Sequence, residues 1–299
     1  MRVLHLDSGR ELRGGQWQVL HLVSGLRAAG CEGVLLARSG GLLLRKAREE
    51  GIDARPLRLT ALAPLSGRFD LVHAHDGRAH TLAAIAARRP TVVSRRVVFP
   101  VGTGALSRWK YRRAARFLAI SAAVRAELLR AGIDPGRIDV VYDGVAVPPS
   151  PGYDPGGPIV ALESADPGKG TASIREAARL AGVNVVFCRD LPSAFRSARL
   201  FVYISESEGL GSGALLALAA GIPVLASRVG GLPEIVQDGV TGLTTANEPA
   251  GIAAALRRLD ADRGLAARLG AAGRALVQSG FTIDRMVART LDAYRKAIA

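Results

Sequence analysis

Two doubly wound α/β domains are the fold class that this sequence predicts, and three observations predict it. Strand-length apolar runs alternate with helix-length amphipathic segments along the whole chain. A proline-rich break interrupts that alternation at mid-chain. The 299 residues, 48% apolar and 22% charged, suffice for two domains of ordinary size, each with its own core. Strand and helix in alternation imply parallel sheets covered on both faces.

In order along the chain, Val3–Leu6 reads as the first strand. Gly15–Ala29 follows as a helix, with Val19, Leu20, Leu22, Val23 and Leu26 at helical spacing. A strand over Gly33–Ala37 and a helix over Leu42–Glu50 come next. Leu71–His73, Thr91–Val93, Phe117–Ile120 and Ile138–Val141 are further strands, most of them separated by helical patterns. Residues 148–158 hold five of the fifteen prolines and can neither continue a helix nor fill a central strand, so they read as a linker between domains 1–147 and 159–282. Alternation resumes with strands at Ile159–Leu162, Val183–Phe187, Leu200–Tyr203 and Pro223–Ala226, and the chain closes with helices over about 250–277 and 283–298. Doubly wound units bind ligands at the carboxyl ends of their strands, which places the expected site in a cleft that the two domains face.

Composition narrows the function. The formal charge of +14 is mostly arginine and suits nucleic acid, an anionic membrane surface or a phosphorylated small substrate, against the plain alternative of a solvated basic surface. Aromatic residues are only 5% and do not interleave with basic ones, which argues against a nucleic-acid partner. No apolar run reaches the roughly 18 to 20 residues of a membrane helix, and the opening residues, broken by His5 and Asp7, lack a signal-peptide core. Cys31 and Cys188 read as two buried thiols in a reducing cytoplasm.

The chemistry concentrates in a few loops. Glu208-Gly209-Leu210-Gly211-Ser212-Gly213 leads into a helix whose first N–H groups and positive dipole end can hold a diphosphate, with glycines that allow close approach. Downstream stand an Ala-Gly-Ile-Pro turn ending at Pro223, and Gly230-Gly231-Leu232-Pro233-Glu234. Asp166-Pro167-Gly168-Lys169-Gly170 is a second candidate phosphate loop, though not a Walker A loop. In the first half, Arg13-Gly14-Gly15-Gln16 lies between first strand and first helix, and Asp70–Asp76 reads as a strand ending in His73-Ala74-His75-Asp76. His73 and His75 point the same way and could bind a metal, but no third ligand at suitable spacing is visible, so His75 and Asp76 are read as lining the site. Asp260-Ala261-Asp262 lies between helical segments and reads as helix capping. Arg108, Arg112 and Arg116 would share one helical stripe, serving an anionic acceptor, a membrane surface or solvent alone.

Taken together, these segments resemble the glycosyltransferases of GT-B architecture, especially the large retaining family 4, over nearly the whole chain. The resemblance implies two Rossmann-like domains and transfer of a sugar from a nucleoside diphosphate sugar, with retention and without a bound metal or other cofactor. It assigns Glu208 to the donor sugar and Lys169 to its pyrophosphate, with Gly209, Leu210, Gly211, Ser212 and Gly213 around the donor. His75, Asp76, Arg95, Arg96, Gly14 and Gly15 would form the acceptor-side wall, and the closing helix 283–299 would pack back on the first domain. The stretch Ser94–Arg113 is similar to a bacterial subgroup linked to envelope and lipopolysaccharide-type glycans, which implies a glycan or lipid-linked acceptor, possible contact with an anionic membrane, and a cytoplasmic or peripheral inner-membrane location.

Several positions depart from the family pattern. Leu216 stands where a ribose-binding glutamate is usual, Ser164 where an arginine is usual, Arg96 near a usual histidine, and Asp143 in place of asparagine. The span from Lys169 to Glu208 is also short, which trims the region that recognises the base. These changes keep open a catalytically silent GT-B-like binding protein, and the charge alone a basic module for nucleic acid or membrane.

Overall fold

The computed structural model describes residues Met1–Ala299, which divide into two compact units, Met1–Gly144 with Ile283–Ala299, and Val145–Thr282. In the first unit the elements are β1 (Arg2–Asp7), α1 (Gly14–Ala28), β2 (Glu32–Ala37), α2 (Leu42–Glu49), β3 (Ala54–Pro56), α3 (Leu59–Ser66), β4 (Leu71–Ala74) and α4 (Gly77–Ala86). They continue with β5 (Thr91–Arg95), α5 (Ala105–Arg113), β6 (Arg116–Ala119), α6 (Ala122–Arg130) and β7 (Ile138–Val140). The seven strands are parallel, in the order β3-β2-β1-β4-β5-β6-β7.

The order reverses direction between β1 and β4. At such a switch point the flanking loops leave on opposite faces and open a crevice at the carboxyl ends of the strands. β3 and α3 are not evident from the sequence, since β3 has three residues and α3 contains Pro64. Arg116 lies on β6 and not on the preceding helix, so the arginine stripe expected through 108, 112 and 116 does not form. Ala114 breaks it by taking extended backbone (ψ 133°).

In the second unit follow β8 (Ile159–Leu162), α7 (Thr171–Ala181), β9 (Val185–Cys188), α8 (Leu191–Ala194), β10 (Leu200–Tyr203), α9 (Ser212–Ala219), β11 (Val224–Ser227), α10 (Leu232–Ile235) and β12 (Leu243–Thr245). Helices α11 (Pro249–Ala261) and α12 (Arg263–Gly280) complete it. Its five parallel strands run β12-β11-β10-β8-β9, with the switch point between β10 and β8. The long helix expected over 250–277 is two helices. Asp262 ends α11 and caps α12, accepting from Leu265 N at 2.7 Å, while Asp260 pairs with Arg199 and Arg263.

The proline-rich stretch is not a free tether. Gly152 N–H donates to Ala220 O at 2.7 Å, Gly152 O accepts from Ala198 N, and Tyr153 packs on the core of the second unit. That core joins Ile159, Val202, Leu225, Leu256 and Leu269.

The closing helix, α13 (Ile283–Ile298), belongs to the first unit. Met286, Val287, Ala293 and Tyr294 lie in one buried cluster with Val3, Leu22, Leu71, Val92 and Leu118. No helix is long and apolar enough to cross a membrane. Cys31 is buried, but Cys188, at the end of an edge strand, is only half-buried.

Candidate functional site

In the second unit, the residues that follow the two switch-point strands meet. Lys169 ends a short 3-10 turn after β8, and Glu208 lies in the loop after β10. The Lys169 ammonium forms an ion pair with Glu208 Oε1. The same oxygen accepts from the Tyr203 hydroxyl at 2.8 Å. Lys169 Nζ also reaches Ser205 Oγ at 3.4 Å. Both donors therefore address one carboxylate oxygen and leave Oε2 available to a ligand hydroxyl. The Tyr203 phenol is buried, and burial first, then the Glu208 anion, pushes its pKa well above the usual range, so it stays a donor at working pH.

The loop between Glu208 and α9 is fixed from behind. Gly211, with φ 99°, sets the entry to α9 in a conformation that suits glycine. Helix α9 is apolar nearly all round and buried, as its run of Ala and Leu dictates, so its N-terminus cannot drift. The first-turn N–H groups over Ser212–Ala214 have no acceptor one turn back, which leaves them for an anion. Gly230 lies against the backbone of Glu208: φ is 53°, a Cβ there would overlap the Glu208 carbonyl oxygen, and Gly231 N donates to that oxygen at 3.1 Å. The Gly-Gly of residues 230–231 is thus the backing of the acidic loop.

Gly209 and Leu210 are buried within this loop, and Leu216 is half-buried on α9. Ser164 acts locally, its hydroxyl accepting from Asp166 N at 3.2 Å and its carbonyl from Thr171 Oγ1 at 3.2 Å. Tyr203 escapes the sequence reading, which takes it only as a strand residue. The signal was a phenol at the end of a buried strand, five residues before the acidic loop.

In the first unit a polar cluster gathers at the ends of β1, β4 and β5. His5 and His73 are register partners on neighbouring strands. His5 Nδ1 and His75 Nε2 are 3.0 Å apart, and the His73 and His75 rings are 4.0 Å apart. The third imidazole that the sequence reading lacked is therefore His5, and ligand atoms of all three lie within 4.8 Å of one another. However, His73 spends both nitrogens, Nδ1 on the Tyr294 hydroxyl at 2.6 Å and Nε2 on Ser94 Oγ at 2.8 Å. The arrangement is a hydrogen-bonded network of neutral rings. Burial is the main cause of their low pKa values, to about 3 for His5 and well below the usual range for His73 and His75. His75 is buried, not on an open wall, and its Nδ1 has no partner.

The other residues expected on the acceptor side have structural partners. Asp76 caps α4, accepting from Arg78 N at 2.8 Å and Ala79 N at 2.9 Å, and binds Ser8 through both N and Oγ. Arg95 donates to the Tyr111 hydroxyl at 2.8 Å and to Phe99 O. Arg96 forms a largely buried ion pair with Asp143, and its aliphatic stem lies over Gly15. Gly14 and Gly15 are not loop residues but the first turn of α1, after Arg13, whose N–H donates to Gln16 Oε1 at 3.2 Å. Asp7, beside this cluster, has a raised pKa, chiefly from burial and then from Asp76.

The two units match known families in turn. Residues 12–147 match the family described as Glycosyltransferase Family 4, and residues 160–262 that described as Glycosyl transferases group 1. This chain belongs to the group 1, family 4 glycosyltransferases. Its two parallel sheets with flanking helices are the GT-B class of fold. The D-inositol 3-phosphate glycosyltransferase of Streptomyces bingchenggensis (strain BCW-1) is 42% identical over 110 residues, 36% of this chain and 24% of that protein. The match thus spans about a quarter of the length of that relative. Among solved structures, Anabaena HepE in complex with UDP has a TM-score of 0.85 at 19% identity, covering 98% of this chain and 100% of that one. A glycosyltransferase from Rickettsia africae ESF-5 has a TM-score of 0.81 at 16% identity, covering 99% and 98%.

Proposed function

We propose that the chain transfers a sugar from a nucleoside diphosphate sugar to a glycan or lipid-linked acceptor in bacterial envelope or polysaccharide synthesis. The observation that carries this reading is the Lys169–Glu208–Tyr203 cluster at the switch point of the second unit, beside the buried N-terminus of α9. Glu208 Oε2 accepts hydrogen bonds from donor-sugar hydroxyls. Lys169 turns from Glu208 to the pyrophosphate, and the N–H groups over Ser212–Ala214 take the remaining charge as the diphosphate departs. Stabilisation by these groups supports a metal-independent reaction, and the family resemblance supports retention at the anomeric carbon. Because HepE is described with UDP and with UDP-glucose, UDP sugars are the first donors to test.

The test is donor hydrolysis and transfer across UDP, GDP and ADP sugars, with and without a chelator, on wild type and Glu208→Ala. Turnover of one donor class that Glu208→Ala abolishes and the chelator leaves unchanged is expected. Turnover that survives Glu208→Ala would remove this carboxylate from the mechanism. A second reading, a silent glycan- or nucleotide-binding protein, is favoured by Leu216 and Ser164, which offer fewer donor contacts than the family pattern. Binding of nucleoside diphosphates without turnover of any donor would establish it.

A further inference from the structure

Across the carboxyl edge of the second sheet, one chain of polar contacts joins the ends of four neighbouring strands, β12, β11, β10 and β8. Asn247 lies two residues beyond β12, and Ser227 closes β11. Ser205 lies two residues beyond β10, and Lys169 stands in the turn after β8.

Three of the contacts close a ring. The Ser205 N–H donates to Ser227 Oγ at 2.8 Å, the Ser227 hydroxyl donates to Asn247 Oδ1 at 2.6 Å, and Asn247 Nδ2 donates to Ser205 O at 3.0 Å. Its direction is forced. A backbone N–H only donates, so Ser227 Oγ accepts there and turns its hydrogen to Asn247. A backbone carbonyl only accepts, so Asn247 must present its nitrogen to Ser205. Residue 247 therefore needs one acceptor and one donor on a short side chain, which the asparagine amide supplies. Ser205 and Ser227 are buried, so a broken ring leaves polar groups without a partner.

The ordinary task of an asparagine just ahead of a helix is capping, and Asn247 does not perform it. Helix α11 has Glu248 as its N-cap and no side-chain cap. The Asn247 amide instead faces Ser205, forty-two residues earlier in the chain. What the ring holds is the approach to the candidate site. Lys169 Nζ donates to Ser205 Oγ at 3.4 Å, and that hydroxyl lies 3.2 Å from Gly168 O. The Glu206 N–H donates to the same Gly168 carbonyl at 2.9 Å, lacing the turn of Lys169 to the strand end.

We propose that Asn247 is a positioning residue for Lys169: the ring sets Ser205, and Ser205 sets the turn that carries the ammonium. The consequence for the donor rests on the reading of Lys169 as a pyrophosphate contact. Asn247 itself acts only through Ser205.

Two variants of the full chain test this. Asn247→Asp keeps the side chain's size but turns an oxygen toward the Ser205 carbonyl, and Ser227→Ala removes the other limb of the ring. Circular dichroism and thermal melting confirm that each is folded. The first readout needs no nucleotide. Acetic anhydride labelling of Lys169 is measured by mass spectrometry against exposed Lys296 of the first unit. Relative labelling of Lys169 should rise about threefold in both variants, the effect of one hydrogen bond lost. The second readout is calorimetry with UDP, GDP and ADP, and with the matching nucleosides. Nucleoside diphosphate binding should weaken about tenfold while nucleoside binding holds within about twofold, and Asn247→Asp should add nothing to Lys169→Ala. Unchanged labelling of Lys169 in both variants would overturn the proposal whether or not any nucleotide binds. Equal losses for diphosphate and nucleoside, or a loss that persists in Lys169→Ala, would also overturn it by making the ring a structural clasp alone. Raised labelling in a chain whose wild type binds no nucleoside diphosphate would uphold the positioning of Lys169 and sink the donor reading, so the two failures are distinguishable.

Discussion

Removing one oxygen atom tests the proposed donor chemistry most directly. Tyr203→Phe deletes the hydroxyl 2.8 Å from Glu208 Oε1 and leaves the ring, which stacks on Phe201 at 5.5 Å and backs Gly213. Packing is therefore conserved, and the change falls on the carboxylate. A hydrogen bond to a charged group contributes about 1.5 to 3 kcal/mol, and Lys169 still holds the same oxygen, so the lower end, about 1.5 to 2 kcal/mol, is expected. If the bond positions Glu208 for the donor, kcat/KM should fall roughly ten- to thirtyfold. Because burial and Glu208 keep the phenol protonated, the loss should not vary with pH across the neutral range. Steady-state kinetics on the donor, with a double-mutant cycle to Glu208→Gln, measures it. The double variant should be no worse than Glu208→Gln alone, since the phenol acts through that carboxylate. A kcat/KM for Tyr203→Phe within about twofold of wild type, below the scatter expected of a charged hydrogen bond, would refute the reasoning and leave Tyr203 a core residue only.

Other outcomes follow from the same geometry. Gly230→Ala places a Cβ on the Glu208 carbonyl at a positive φ, and should cost about 1 to 3 kcal/mol in backbone strain alone, read by chemical denaturation. Unchanged stability would separate the Gly-Gly turn from the acidic loop. Lys169→Ala should weaken nucleoside diphosphate binding more than nucleoside binding in calorimetry, and equal losses would move Lys169 away from the phosphates. Leu216→Glu should tighten binding of UDP, GDP or ADP by restoring a ribose acceptor on α9, whereas submicromolar and selective wild-type binding would show that the ribose is already held. For pH, His5 has a folded pKa of about 3 against an ordinary 6.5, so the unfolded chain binds the proton first. Its contribution to stability is complete above about pH 6.5 and is lost by about 1.4 kcal/mol per pH unit as pH falls toward 3. His73 and His75, shifted the same way, steepen the loss. Urea titrations at pH 7, 6 and 5 should show falling stability, and a flat profile would contradict neutral buried rings.

Residue types and spacings made the longer elements legible, and their alternation was plain in the apolar pattern. The short elements escaped, among them the four-residue helices α8 and α10, which span too little chain to show a period. β3 and β12 are three-residue strands whose pairing comes from the neighbouring strand and not from their own side chains, and α3 tolerates Pro64 within eight residues. The acidic loop was legible because its glycines and its glutamate sit close together in the chain. Contacts between distant residues were not. Periodicity says which way a side chain points, and never which side chain from another strand it meets, so His5, seventy residues from His75, and Tyr203, facing both Glu208 and Lys169, went unseen.

The departures from the family pattern show the same limit from the other side. Arg96 and Asp143, forty-seven positions apart, read as two independent departures. In the fold they face each other in a largely buried ion pair, so the arginine's charge is already compensated. Breaking a buried pair leaves one uncompensated charge and costs about 3 to 5 kcal/mol, whereas replacing both members need cost little. The two changes are therefore one coupled change. Arg96→His alone would strand the Asp143 carboxylate, and only together with Asp143→Asn would it restore a neutral pair over Gly15. Ser164 and Leu216 have no such mutual contact. The Arg96 and Asp143 departures therefore keep their part of the first unit charge-balanced, whereas those at Ser164 and Leu216 stand as separate changes in the second.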